Sequence, residues 1–150
     1  MNSKKSRFLS LLTSAAFVFS VGFGSQAMAA EKVTVNISSM GEQMKFDKDK
    51  ITVPAGSDVT VVFTNKSSAL KHNWILTKKG AGNKVAAAGI SAGESKSYIV
   101  KGPDVIAFTK LIDPKKKGQV SFKAPAKGTY DFVCTSPGHN MIMKGVFTVK

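Results

Sequence analysis

A chain of 150 residues with a formal net charge of +13 has room for one compact domain once an N-terminal leader is set aside. The charge does not indicate a nucleic-acid-binding protein, because every cation after residue 29 is a lysine and the lysines are spread along the chain. A single cysteine excludes an intramolecular disulfide, although small exported domains commonly depend on disulfides.

Residues 1–29 have the features of an export signal. A basic segment that ends at Arg7 is followed by an apolar run over residues 8–23 and by an Ala-x-Ala cleavage site that ends at Ala29. We expect cleavage near Ala29, export to a bacterial periplasm and a single mature domain, 30–150, whose net charge is +10 after the leader removes three cations from +13. The alternative is an uncleaved anchor, but the apolar run is short for a membrane span. We therefore expect no stable membrane insertion.

The mature region consists mainly of short segments that alternate apolar and polar residues or are rich in β-branched residues, with turn signals about every ten residues. The predicted strands are 32–37, 44–46, 51–53, 59–64, 72–76, 95–100, 105–108, 119–123, 129–133 and 144–150. Glycines flank an alanine-rich run and predict at most a short helix in the region 80–93. The pattern is typical of an all-β fold, an antiparallel sandwich or barrel with Greek-key connections.

The segment from Cys134 to Met143 places a thiol, an imidazole and a thioether within ten residues, on a loop that contains Pro137. Two histidines and one cysteine in a trigonal plane, with a weak axial methionine, form a blue-copper site for electron transfer. The loop supplies only His139, so the second imidazole must be His72, the other histidine of the chain. The sequence therefore predicts one copper ion that alternates between Cu(II) and Cu(I).

Each candidate ligand also has a structural explanation when it is taken alone. A single cysteine or methionine commonly packs in a core, and His72 is also consistent with a histidine buried beneath a loop. Zinc binds thiolate and imidazole as well, although the thioether does not favour zinc. The joint spacing, Cys-x4-His-x3-Met with a second histidine elsewhere, favours copper over these alternatives.

Several segments resemble the azurin-like cupredoxins, a family that includes the auracyanins. Residues 134–145 resemble the azurin copper loop, 72–74 resemble the first ligand segment, and 105–112 and 44–46 resemble further azurin stretches. The resemblance implies a Greek-key β-sandwich (cupredoxin-like) that carries single electrons between redox proteins and is not an enzyme.

The resemblance also assigns roles to individual residues. It implies that His72, Cys134 and His139 are equatorial ligands and that Met143, rather than its neighbour Met141, is the axial ligand. In azurins the carbonyl before the first histidine also approaches the metal. Here that position is Lys71 instead of the usual glycine.

Positions next to the ligands are expected to support them. Asn73 and Thr135 are expected to hydrogen-bond between the two ligand segments, and Trp74 is expected to lie in the core. If His139 lies near the surface as in azurins, Leu70, Pro137 and Met141 form a small apolar docking patch around it.

The expected partners are redox proteins such as c-type cytochromes with acidic docking surfaces, bound by a monomer. Lysines such as Lys71 and Lys144 rim the docking patch and attract acidic partners or anionic membranes, unless they only keep the protein soluble. A copper enzyme would need more histidines than the chain has. A periplasmic copper-binding or delivery protein remains the alternative, with Met40, Met44 and Met141 as additional copper sites.

Overall fold

The computed structural model describes residues 29–150, so the predicted leader, apart from its last residue, lies outside the described residues. The strands are β1 Lys32–Met40, β2 Gln43–Phe46, β3 Lys50–Val53, β4 Asp58–Thr64, β5 Ile75–Lys78, β6 Val105–Phe108, β7 Lys117–Lys123, β8 Gly128–Val133 and β9 Lys144–Val149. A helix, α1, spans Gly82–Ala92, and short 3-10 turns span Glu94–Lys96 and His139–Met141. In this part of the chain, no helix has the length and apolar character needed to cross a bilayer.

The strands form two sheets, in the orders β2-β1-β4-β7 and β3-β9-β8-β5-β6. Neighbours such as β4 and β7 are distant in sequence, as Greek-key connections require, and the all-β sandwich is confirmed. The expected antiparallel arrangement has two exceptions, because β1 lies parallel to β4 and β3 lies parallel to β9. Such pairs are not joined by hairpins, so the turn signals in the sequence carry no information about their direction.

The core lies between the sheets and follows the alternation of the strands. In β4, Val59, Val61 and Phe63 are fully buried, whereas the residues between them are partly exposed. The ring of Trp74 is also fully buried and stacks on Phe122, with ring centroids 6.2 Å apart. The prediction that Trp74 belongs to the core is confirmed.

The predicted strand over residues 95–100 is wrong. A 3-10 turn occupies Glu94–Lys96, and Ser97 and Tyr98 follow with φ angles of 57° and 54°. These left-handed conformations are incompatible with an extended strand. The alternation of residue types in this segment therefore reflects a turn with one buried residue, Ile99, and not a half-buried strand.

Three other boundaries differ from the sequence prediction. The helix α1 has 11 residues, more than the single turn suggested by its alanine run, although it stays within the predicted region. Strand β1 continues through residues 38–40, where a turn was expected, because Ser38 and Ser39 pair with β4 and β2. Strand β5 begins at Ile75, and His72 instead forms an isolated antiparallel bridge with Ile112.

Candidate metal centre

The backbone around His72 is fixed by hydrogen bonds on both sides. The His72 N–H donates to the Ile112 carbonyl at 3.2 Å, and the Ile112 N–H donates to the His72 carbonyl at 2.8 Å. Two residues further on, the Trp74 N–H donates to Thr109 Oγ1 at 3.0 Å, and the Thr109 N–H donates to the Trp74 carbonyl at 2.9 Å. The backbone at His72 is therefore held by two pairs of hydrogen bonds, although His72 lies before strand β5.

A fully buried asparagine that no sequence motif indicated supports this hydrogen-bonded backbone. The Asn65 amide donates to the carbonyl of Leu70 at 2.7 Å and to the carbonyl of Ile112 at 2.9 Å. Its side-chain oxygen accepts from Ser39 Oγ at 3.1 Å. Asn65 thus ties the residue before Lys71 to the bridge partner of His72. Only its position directly after a β-rich run could have suggested this role.

The loop with Cys134 turns back on itself. The Cys134 N–H donates to the Met143 carbonyl at 2.9 Å, and the Met143 N–H donates to the His139 carbonyl at 2.8 Å. Gly138, with φ of 80°, begins the 3-10 turn that contains His139, and glycine adopts this left-handed conformation without steric cost. The turn carries the His139 ring back over the cysteine.

The structure brings the side chains of His72, Cys134 and His139 together. The two Nδ1 atoms are 3.1 Å apart, and the Cys134 Sγ lies 3.8 Å from Nδ1 of His72 and 3.6 Å from Nδ1 of His139. All three residues are buried, with His139 the most accessible at 8% exposed. Among the histidine, cysteine, aspartate and glutamate side chains of the described residues, this trio is the group whose geometry suits a metal ion.

The spacing and chemistry of these atoms fit one copper ion. Nitrogen and sulfur ligands lie about 2.0 to 2.3 Å from a bound transition metal, so two ligands of one ion are at most about 4.3 Å apart. The three distances, 3.1, 3.6 and 3.8 Å, all satisfy this limit. One thiolate with two imidazoles is a donor set that copper binds well.

Burial makes the site unfavourable for charged side chains unless a cation is present. Burial raises the pKa of the Cys134 thiol, and it lowers the pKa of His139. Burial together with the neighbouring His139 lowers the pKa of His72 to about 4. Both imidazoles are therefore neutral at pH 7, and a bound cation would replace the thiol proton.

The two candidate axial methionines differ sharply in burial. Met143 is fully buried in the same core cluster as Cys134, whereas Met141 is 66% exposed. The hydrogen bond between the Cys134 N–H and the Met143 carbonyl places these two residues side by side. The contact of the Met143 sulfur with a metal stays a prediction.

Asn73 and Thr135 join the two ligand segments directly. Asn73 Nδ2 donates to Thr135 Oγ1 and the Thr135 N–H donates to Asn73 Oδ1, each at 2.8 Å. The Asn73 amide also donates to the Ser97 carbonyl at 2.9 Å, and the Thr135 hydroxyl donates to the Tyr98 carbonyl at 2.8 Å. The two left-handed residues, which were predicted to lie in a strand, thus support the site through their carbonyls.

The Lys71 carbonyl has a partner that was not anticipated. Ser136 Oγ donates to it at 3.0 Å, which links the residue before His72 to the residue two positions after Cys134. Whether this carbonyl also contacts a metal stays a prediction. The lysine side chain is not a free cation, since its ammonium lies 2.7 Å from Glu94 Oε1 and 3.4 Å from Asp113 Oδ1. Those hydrogen bonds raise the pKa of Lys71, so the charge that was expected to attract acidic partners is paired with two carboxylates.

A surface depression of about 360 Å³ lies over His139, and we call it the His139 depression. Two of the predicted patch residues, Leu70 and Pro137, line it. Met141 is exposed but lies outside this lining. The remaining lining residues are Ala69, Lys71, Glu94, Tyr98, Leu111 and Ser136.

Comparison with known proteins agrees with this geometry. Residues 33–150 match the family described as copper binding proteins, plastocyanin/azurin family. Auracyanin-A of Chloroflexus aurantiacus is 42% identical over 120 residues, which cover 78% of this chain and 74% of that protein. Azurin of Pseudomonas chlororaphis is 37% identical over 118 residues, which cover 73% of this chain and 92% of that protein.

The similarity extends to three dimensions. The solved structure of auracyanin A, titled a "blue" copper protein from the green thermophilic photosynthetic bacterium Chloroflexus aurantiacus, aligns with a TM-score of 0.76. The alignment covers 79% of this chain and 99% of that chain at 42% sequence identity. The chain therefore belongs to the plastocyanin/azurin family of copper-binding proteins.

Proposed function

We propose that this protein is a periplasmic one-electron carrier in which His72, Cys134, His139 and Met143 hold a single copper ion. The observation that carries the proposal is the convergence of one thiol and two imidazole nitrogens within 3.8 Å of one another in a buried site. When bound, copper would supply the Cu(II)/Cu(I) couple. No substrate bond is made or broken, so the protein is not an enzyme in this role.

The residues of this chain contribute rigidity. His72 is fixed by its bridge to Ile112, and Cys134 is fixed by the Met143 carbonyl. The paired hydrogen bonds of Asn73 and Thr135 hold the two segments at a constant separation. A site that moves little between two oxidation states suits rapid electron transfer.

His139 is the proposed point of electron entry and exit. It is the most exposed of the three clustered ligands, and its ring lines the His139 depression together with Leu70 and Pro137. Met141, 66% exposed, extends the apolar surface nearby. A small apolar surface of this kind suits a transient redox encounter.

The proposed partners are redox proteins such as c-type cytochromes with acidic docking surfaces, and the proposed state of this protein is a monomer. Residues 1–29 would act as a signal peptide that is cleaved near Ala29, which leaves the domain at 30–150 with its net charge of +10, three less than +13. Positive charge of this size attracts acidic partners at a distance.

Copper delivery is the competing role, and the burial of the ligands argues against it. A delivery protein must expose its ligands to a receiving site, but His72 and Cys134 are fully buried and His139 is 8% exposed. Met40 is exposed on β1 and Met44 is partly buried on β2, and neither lines the His139 depression. We therefore favour an electron carrier that retains its copper.

Visible absorption of the copper-loaded protein tests the proposal. We expect an intense blue colour from charge transfer between the Cys134 thiolate and Cu(II), bleached reversibly by reduction. Cys134→Ser should abolish the colour. A colourless cupric protein would reject the electron carrier, and net transfer of copper to a metal-free acceptor protein under turnover would favour delivery.

A further inference from the structure

A basic cleft lies beside the metal site and has no role in the function proposed above. It has a volume of about 420 Å³ and is lined by Lys96, Lys101 and Lys110, with Ile99 and Phe108 as apolar residues. The hydroxyl-bearing Ser95 and Ser97 complete the lining. We call this feature the lysine cleft.

The three lysines of the cleft have no acidic partner among the described residues. Within residues 29–150, ion pairs form at Lys48, Lys71, Lys78, Lys84 and Lys123, but at none of the three lysines of the cleft. No aspartate or glutamate of this part of the chain lines the cleft. The Lys101 ammonium instead lies 5.9 Å from the centre of the Phe108 ring. Three like charges around one recess repel each other, and a bound anion would offset this repulsion.

The lysine cleft and the His139 depression are lined by residues that are adjacent in sequence. Neighbours in sequence divide between them: Ser95 lines the cleft while Glu94 lines the depression, and Lys110 lines the cleft while Leu111 lines the depression. Tyr98 lines the depression, and the residues on either side of it line the cleft. A partner seated over His139 would therefore lie close to residues of the lysine cleft.

The backbone of the cleft is attached rigidly to the ligand segments. The left-handed Ser97 and Tyr98 direct their carbonyls to the side chains of Asn73 and Thr135, which follow His72 and Cys134 in sequence. The orientation of the cleft relative to His139 is thus fixed by partly buried hydrogen bonds. A group bound in the cleft would have a defined position relative to the metal site.

We propose that the lysine cleft binds an acidic segment of the redox partner and so orients the partner over His139. Carboxylates would pair with Lys96, Lys101 and Lys110, while apolar parts of the segment would contact Ile99 and Phe108. The concave shape suits a polypeptide segment better than the flat plane of lipid headgroups. This inference rests on the proposed electron-carrier function, because it names the kind of partner that the carrier recognises.

Titration of copper-loaded protein with a hexaglutamate peptide at low salt, followed by calorimetry, tests the inference. The variant Lys96→Gln/Lys101→Gln/Lys110→Gln removes the cleft charges. The matched control, Lys32→Gln/Lys127→Gln/Lys150→Gln, removes the same net charge. These three lysines are exposed, form no ion pair among the described residues, and lie at or next to the strand ends opposite the metal site. We expect one peptide to bind per protein, at least tenfold more weakly to the cleft variant and less than twofold more weakly to the control.

Equal weakening in both variants would overturn the inference, because it would show attraction by net charge alone. Absence of peptide binding would also overturn it, as would cleft-dependent binding to phosphatidylglycerol vesicles without binding to the peptide. Calorimetry reports binding whether or not the copper transfers electrons. Failure of the peptide-binding inference is therefore distinct from failure of the proposed electron-carrier function. A colourless cupric protein that still binds the peptide would reject only the electron-carrier function.

A kinetic measurement extends the test to a protein partner. With an acidic c-type cytochrome, we expect the cleft variant to exchange electrons at least tenfold more slowly at low salt than the control variant. Reduction by a small neutral reagent should proceed at the same rate in both. A cleft variant that matches the control with the cytochrome would contradict the orienting role.

Discussion

Asn73 and Thr135 hydrogen-bond to each other twice, at 2.8 Å in both directions, across a sequence separation of 62 residues. Each follows a residue of the clustered site, His72 in one segment and Cys134 in the other. Asn73 Nδ2 also donates to the Ser97 carbonyl, and Thr135 Oγ1 donates to the Tyr98 carbonyl. One pair of side chains thus connects both ligand segments to the turn that carries the lysine cleft.

Removal of the Asn73 amide should therefore destabilise the protein strongly. Asn73→Ala leaves the buried Thr135 N–H and the partly buried Ser97 carbonyl without their partner, and a buried group left unpaired costs about 1 to 3 kcal/mol. We expect a loss of about 2 to 4 kcal/mol in the free energy of unfolding of the metal-free protein, measured by denaturant titration. The matched control is Asn83→Ala at an exposed asparagine, which should change stability by less than about 0.5 kcal/mol. An equal loss of stability in the two variants would show that the hydrogen bonds of Asn73 do not stabilise the fold.

The strands and the metal cluster were predictable because each depends on a local or countable signal. The run 59–64 predicted a strand because it is rich in β-branched residues, and in β4 it buries Val59, Val61 and Phe63. The members of the cluster could be predicted by counting, since two histidines and one cysteine can form it in only one way. The structure adds that Cys134 and His72 are fully buried.

The features that were not predictable depend on contacts between distant segments. Ser97 and Tyr98 adopt left-handed backbone because their carbonyls are held by Asn73 and Thr135, and neither residue type indicates that conformation. Asn65 acts through two carbonyls that the fold brings to it. The charge of Lys71 is paired with acids 23 and 42 positions later, and the sequence around Lys71 does not indicate this pairing.

Met143 and Met141 should respond differently to the same substitution. Met143→Leu replaces a fully buried thioether with an alkyl group of similar volume, so the fold and the blue absorption should persist. Because leucine donates no electron pair to Cu(II), the reduction potential should rise by tens of millivolts, and about 59 mV corresponds to a tenfold change in the relative affinity for the two oxidation states. Voltammetry measures the shift. Met141→Leu, at a residue 66% exposed, should leave the potential unchanged, and the reverse result would make Met141 the axial ligand.

Gly89 should resist substitution although it lies inside a helix. Alanine normally stabilises a helix relative to glycine by about 1 kcal/mol. A Cβ at Gly89 would collide with the Tyr98 carbonyl oxygen, the same atom that accepts from Thr135 Oγ1. We expect Gly89→Ala to lower the free energy of unfolding by about 1 to 3 kcal/mol and to perturb the copper absorption band. In Gly102→Ala the added Cβ meets no atom within 4 Å, so that variant should retain both stability and spectrum. A stable Gly89→Ala protein with an unchanged spectrum would show that the turn is not packed tightly against α1.

Glu42 should make the free energy of unfolding of the domain depend on pH in the acidic range. The Ser68 N–H donates to its carboxylate at 2.5 Å, and the Ser67 and Ser68 hydroxyls donate at 2.7 Å. These hydrogen bonds, led by the one from the Ser68 backbone, lower the pKa of Glu42 from 4.5 to about 2. The contact fixes the loop that leads to Leu70 and His72.

A carboxylate whose pKa is lowered by folding stabilises the protein above its unfolded pKa, and this contribution is lost as pH falls through the folded value. Between pH 4.5 and about 2 the unfolded chain binds the proton that the folded chain rejects, so the contribution of Glu42 declines across that interval. We expect Glu42→Gln to be less stable than the parent at pH 7 and the difference to narrow steadily below pH 4.5. Denaturant titrations at neutral pH and at several values inside that interval measure it, and Glu31→Gln, at an exposed residue with no side-chain hydrogen bond among residues 29–150, is the control. A difference between Glu42→Gln and the parent that is constant across these pH values would mean that the serines do not hold the ionised carboxylate.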